Sequence, residues 1–162
     1  MKSSKLNGTP LELRGVTSRD DRRKIVDQAE HKSLELNPDD CQKARSDLTN
    51  PRNRLAAEIA WLPGVSPRRA SQLLEGLLVD AMGVRGETGL PTLAHCNLLA
   101  AAFEAVPSSY PPEDLAEFIQ ELAVLVDDLD AEEVIRDINE DRTISGFPEV
   151  KAVDQVEAEL LE

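Results

Sequence analysis

Pro112-Glu113-Asp114-Leu115-Ala116-Glu117-Phe118-Ile119-Gln120-Glu121-Leu122-Ala123-Val124-Leu125-Val126-Asp127-Asp128-Leu129 decides the fold class. Leu115, Phe118, Ile119, Leu122, Val126 and Leu129 recur at three-and-four spacing, the signature of a helix that buries one stripe. Glu113 and Asp114 in its first turn complement the positive end of the helix dipole. Downstream, Asp130 is placed to cap a helix carrying Val134, Ile135 and Ile138, and Gly146-Phe147-Pro148 closes it. A last helix is expected from Glu149 through Val153, Val156, Leu160 and Leu161; it meets no stop signal, as in a chain that continues past Glu162.

The same period runs upstream. Thr92 is expected to cap a helix with Leu93, Leu98, Leu99, Ala102, Phe103 and Val106, and Ser66-Pro67 to open one with Ala70, Leu73, Leu74, Leu77 and Leu78. Between them, residues 83–91 hold three glycines and a proline and read as the best linker. Three shorter helices are expected before Gly64. One starts at Ser18-Arg19-Asp20-Asp21 and runs through Ile25, Ala29 and Leu34 to Asn37-Pro38; one runs from Asp39 or Asp40 through Ala44 to Leu48; one runs from Pro51 to about Leu62. No strand pattern interrupts this series, so the reading is all-α.

Composition limits the functional classes. Residues 1–75 carry 14 Lys/Arg against 11 Asp/Glu, whereas residues 76–162 carry 4 against 20. The acidic half is repelled by phosphate backbones, and one Trp, one Tyr and three Phe offer little for base stacking, so no nucleic-acid partner is expected. No apolar run approaches the about 18 residues of a membrane span, and the polar start gives no signal-peptide core; a cytoplasmic location and no membrane partner are expected. Cys41 and Cys96 have no second thiol at metal or redox spacing. Asp27 and His31 can meet across one turn, as an exposed pair more readily than as an acid–base dyad. His95 and Cys96 are adjacent, pointing about 100° apart on a helix, and cannot pair as base and nucleophile. The acids at 127, 128, 130, 132 and 133 lack the glycine and alternation of a calcium loop. No catalytic residue, metal site or cofactor is expected.

The opening third carries a more specific pattern. Leu11-Glu12-Leu13-Arg14-Gly15-Val16 is followed nine positions after Val16 by Ile25 and twelve later by Asn37-Pro38-Asp39, with Leu34 and Leu36 just ahead. Ala44-Arg45-Ser46-Asp47-Leu48-Thr49-Asn50-Pro51-Arg52-Asn53-Arg54 follows. Together these runs resemble the J-domain of DnaJ-type co-chaperones. Their counterparts there are a Gly-Val opening, a buried Ile on the second helix, a His-Pro-Asp loop, and an Asp-Pro-X-X-Arg stretch beginning the fourth helix. The resemblance covers about residues 10–60. Two features depart from it: the stretch between Asp39 and Leu48 is shorter, leaving a stub of a hairpin, and Asn37 replaces the histidine.

The resemblance implies that the loop Asn37, Pro38 and Asp39, with basic residues Arg22, Arg23, Lys24 and Lys32 on the preceding helix, would face a DnaK-type chaperone. Gly15, Val16, Ile25, Leu34, Leu48, Pro51, Arg54 and Trp61 would be structural, with Trp61 anchoring the J-like segment on the helices that follow. Asn has no titratable proton and no aromatic ring, so Asn37-Pro38-Asp39 reads first as a helix-stopping turn. The interleaved acids Asp20, Asp21, Asp27 and Glu30 make the basic face mixed. The expected organisation is a loose 1–10, a J-domain-like hairpin at 11–64 and an acidic helical bundle at 65–162. The expected function is a non-enzymatic adaptor that binds another protein and has lost ATPase stimulation. The alternatives are a working co-chaperone with an atypical loop, or a subunit of a complex whose catalysis lies on another chain.

Overall fold

The computed structural model describes residues 17–32 and 38–161. The chain is all-α: the described residues form eight α-helices and one 3₁₀ helix and no strand. In order they are α1 (Arg22–Lys32), α2 (Pro38–Thr49), α3 (Pro51–Ile59), α4 (Pro67–Val79), the 3₁₀ helix (Ala81–Gly86), α5 (Thr92–Ala105), α6 (Pro112–Asp127), α7 (Ala131–Ser145) and α8 (Val153–Leu160).

Helix α5 is the centre. Leu93, Ala94, Cys96, Leu98, Leu99, Ala101 and Ala102 are all buried, the all-round burial that its apolar, small-residue sequence permits. One apolar cluster joins Ile25 of α1 and Leu48 of α2 to Trp61, Leu73, Leu77, Leu98 and Phe118. A second joins Leu55 and Ile59 of α3 to Leu93, Val134, Ile138, Val150 and Val156. The J-like residues and the acidic bundle therefore contribute to common cores.

Several local expectations are corrected. Asp21 rather than Ser18 starts α1: its Oδ1 accepts the Lys24 N–H at 2.8 Å, while the Ser18 hydroxyl is committed to Asp141. Helix α3 stops at Ile59 rather than Leu62, because Trp61 and Leu62 turn into the core. The Asn97 amide satisfies the freed end, donating to the carbonyls of Ile59 (2.7 Å) and Trp61 (2.6 Å). Residues 83–91 are not a linker. Val84 is buried in the first cluster, Arg85 pairs with Glu121 at 2.6 Å and stacks over the Phe118 ring, and Arg69 pairs with Glu87. Thr92 is the first helical residue and makes no side-chain cap bond. The last helix begins at Val153, not Glu149, because the Asn139 side chain holds Val150 in a two-way bond (2.7 and 3.0 Å) that keeps this segment out of helix. Helix α2 has 12 residues and α1 has 11 among the described residues.

Other local signals are met. Asp130 Oδ1 accepts from the N–H groups of Glu132 (2.7 Å) and Glu133 (3.2 Å), and Gly146 closes α7 at φ 76°. Ser66 caps α4, with Pro67 at its first position. The stripe on α6 is only partly buried: Phe118 is enclosed, but Ile119 is 52% and Val126 48% exposed. The helix lies against the edge of the bundle, so the outer half of its apolar arc has no neighbour. No helix among the described residues is long and apolar enough to cross a membrane.

Candidate partner-binding site

Asn37, Gly15, Val16 and Leu34 lie outside the described residues, as do the side chains of Pro38 and Lys32. Pro38 is the first residue of α2, and Asp39 stands exposed in its first turn, where a carboxylate complements the helix dipole. On α1, Arg22, Arg23 and Lys24 are exposed. Arg23 approaches Asp27 only to 4.0 Å, and Lys24 Nζ donates to Asp20 at 2.5 Å. Asp27 thus faces Arg23, and no ion pair with His31 forms among those described. Exposed pairs of this kind contribute little, about 0–1 kcal/mol.

The structural residues go inward. Ile25 and Leu48 have no exposed surface, and Trp61 is buried against α4 and α5 residues. Pro51 opens α3 and remains exposed. Arg54, one turn further along, is only 1% exposed and organises a buried charge network. Its Nε donates to Glu58 Oε1 (2.9 Å), Nη1 to the Leu48 carbonyl (3.2 Å) and Nη2 to the Ser18 carbonyl (3.1 Å); its guanidinium lies 3.5 Å from the Phe147 ring centre. Arg142 of α7 grips the same carboxylate with Nε (3.0 Å) and Nη2 (2.7 Å), and gives Nη1 to the Pro148 carbonyl (2.8 Å). Burial lowers the Arg54 pKa, opposed by the Glu58 charge and reinforced by the Arg142 charge.

A second buried carboxylate sits beside this network. Asp141 accepts from the Ser18 hydroxyl (2.8 Å), Arg19 Nε (2.7 Å) and the Gly64 N–H (3.0 Å), and Arg19 also reaches the Gly64 carbonyl (3.3 Å). Gly64 has φ +77°, and a Cβ there would lie 3.0 Å from Pro91 Cγ and 3.3 Å from Asp137 Cβ. A cavity of about 280 Å³ opens over the network, lined by Arg54, Arg142, Phe147 and Lys151 among others. Arg54 and its i+4 partner Glu58 are neighbours in sequence; Arg142, 84 residues beyond Glu58, carries no sequence signal that links it to them.

For chemistry the site offers charge held in place. The network's charges are paired, and its arginine donors are largely spent on carboxylate and backbone oxygens. Elsewhere, burial pushes the Cys96 thiol up to about 11, which keeps it protonated and unreactive at neutral pH. His95 Nε2 is buried with no hydrogen-bond partner. Among the described residues, no three His, Cys, Asp or Glu side chains come together as a metal site.

The fold and site thus define an all-α bundle whose opening helices are tied to its acidic half through buried carboxylates. No protein family, curated protein or solved structure matches this chain.

Proposed function

We propose that this chain is a non-enzymatic adaptor built on a degenerate J-domain-like scaffold, binding another protein without stimulating a DnaK-type ATPase. The observation that carries the reading is the bridge from Arg54 and Glu58 to Arg142. Arg54 and Glu58, downstream of the J-like loop, are turned inward and tie α3 to the chain's own bundle. Asp39 at the start of α2 serves a turn-and-dipole role that needs no chaperone, and Asn37 lacks the ring and proton of the histidine it replaces. The mixed charges on α1 neutralise one another at the surface, which weakens any steering toward an acidic docking patch.

The test is single-turnover ATP hydrolysis by a DnaK-type chaperone with and without this protein, alongside Asn37→His and Asp39→Asn. The expected result is no acceleration by the wild type. Acceleration that Asp39→Asn abolishes would instead make it a working co-chaperone with an atypical loop.

A further inference from the structure

A groove of about 310 Å³ runs between α3, α5, α6 and α8. Its buried lining is Ile59 of α3 with Leu93 and Cys96 of α5; its walls include Leu122 and Val126 of α6 and Leu160 of α8. The walls provide apolar contact. Val126 and Ile119, seven residues apart on the same face of α6, stay about half exposed and extend the wall along the helix. No lysine or arginine lines the groove, whereas Glu159 does, and Asp128 is close enough to raise the Cys96 pKa from beside it. Helix α6 itself carries Glu113, Asp114, Glu117, Glu121 and Asp127 and no basic residue.

We propose that this groove binds an amphipathic helix from a partner protein, its apolar face in the groove and its Lys/Arg residues against the acidic rim. The proposal rests on the adaptor reading and names the class of partner. Charge selects the occupant. An acidic or neutral helix would leave the rim carboxylates unmatched, and a second copy of this chain, with formal charge −13, would meet like charge across most of its acidic half. The helix-in-groove mode fits a site whose half-exposed apolar residues repeat along one helix face beside an apolar groove.

The probe is a short fluorescein-labelled helical peptide with leucines at i, i+3, i+4 and i+7 and lysines elsewhere, read by fluorescence anisotropy at physiological ionic strength. Its counterpart carries glutamates in place of the lysines. Three proteins are compared: wild type, Val126→Arg in the groove wall, and Val124→Arg, which is 62% exposed on the opposite side of the same helix. Both replaced side chains are substantially exposed, and circular dichroism verifies that the fold is kept. Saturable binding of the lysine peptide alone is expected, weakened about tenfold or more by Val126→Arg and less than about twofold by Val124→Arg. No binding, equal losses in the two variants, or equal affinity for the glutamate peptide would overturn the proposal. So would a dimer of this chain that Val126→Arg dissociates, since a second copy would then fill the groove. ATPase stimulation in the preceding assay would sink the adaptor reading while leaving the peptide result intact, so the two failures can be told apart.

Discussion

Glu58→Gln is the sharpest test of how this fold is held together. The carboxylate is 2% exposed and accepts Nε of Arg54 together with Nε and Nη2 of Arg142. Glutamine keeps the shape but removes the charge and turns one acceptor into a donor aimed at a guanidinium. Two buried cations, which already repel one another, then share no anion; Asp141 is the remaining carboxylate within electrostatic reach of Arg54. Breaking a buried pair by removing one partner costs about 3–5 kcal/mol. For a chain of this size each kcal/mol is about 2–4 °C, so Tm should fall by roughly 6–20 °C. Urea unfolding followed by the fluorescence of Trp61, the sole tryptophan and itself buried, gives the free energy directly. Replacing both Glu58 and Arg142 by Met should recover part of the loss, because one of the stranded cations goes with the anion. Arg23→Ala, at a pair whose side chains are 90% and 67% exposed, should cost less than about 0.5 kcal/mol. A loss below about 1 kcal/mol for Glu58→Gln would refute the reasoning.

Gly64→Ala should destabilise by about 1–3 kcal/mol, because φ +77° is strained for alanine and its methyl group would press on Pro91 and Asp137; Gly86→Ala, with open space around it, is the control in the same urea titration. Burial raises the Asp137 pKa to about 6 from 3.8, with Arg136 opposing and Glu133, Glu140 and Asp141 adding to it. The folded state therefore holds this proton more tightly than the unfolded chain does: the group's stabilising contribution is complete below about pH 4 and is lost as pH rises through 6, about 3 kcal/mol in all. Asp137→Asn should remove that loss, so the wild-type-minus-variant difference in unfolding free energy should become more negative between pH 4 and 7; a difference independent of pH would contradict it. Native protein should react with Ellman's reagent at pH 8 far more slowly at Cys96 than urea-unfolded protein does, because the buried thiol's pKa of about 11 leaves little thiolate.

Periodicity alone was enough for the all-α class, since Leu93 to Ala102 and Leu73 to Leu77 follow the helical repeat and are buried as that repeat requires. Caps with a local partner were also legible: Asp130 bonds residues two and three positions away, and Gly146 ends its own helix. What escaped depended on distant partners. Asn97 ends α3 from 36 and 38 residues away, Asn139 delays α8, and Asp141 draws Ser18 out of a capping role across 123 residues. Residues 83–91 read as a linker because glycine and proline signal a break locally, yet burying Val84 and pairing Arg85 with Glu121 fix half of that stretch onto the core. The groove was hidden for the opposite reason. A complete apolar stripe on α6 predicts burial of the whole face, and only the packing reveals that Ile119 and Val126 have no neighbour to bury them.

The two halves of the chain use their side chains in opposite senses, and this separates scaffold from binding surface. In the opening segment, several polar groups are consumed inside: Ser18 and Arg19 on Asp141, Arg54 on Glu58 and two backbone carbonyls. The buried carboxylates Glu58 and Asp141 are both paired, which fixes the position of α3 against α7, while Arg22, Arg23 and Lys24 stay exposed on α1. In the acidic half, Asp127, Asp128 and Glu159 stay at or near the surface beside apolar wall residues that the bundle itself does not cover. Apolar area that stays in water is a standing cost; part of it, Ile119 and Val126, follows the α6 side of the groove, while Leu78, Val79, Val124 and Ile144 are exposed elsewhere. A contiguous apolar strip edged by one sign of charge gains most from a partner offering the opposite sign around an apolar face. On that argument recognition belongs to the groove between α3, α5, α6 and α8, which the opening segment reaches through α3: Ala56 and Ile59 line the groove, and Arg54 and Glu58 lock the same helix to α7.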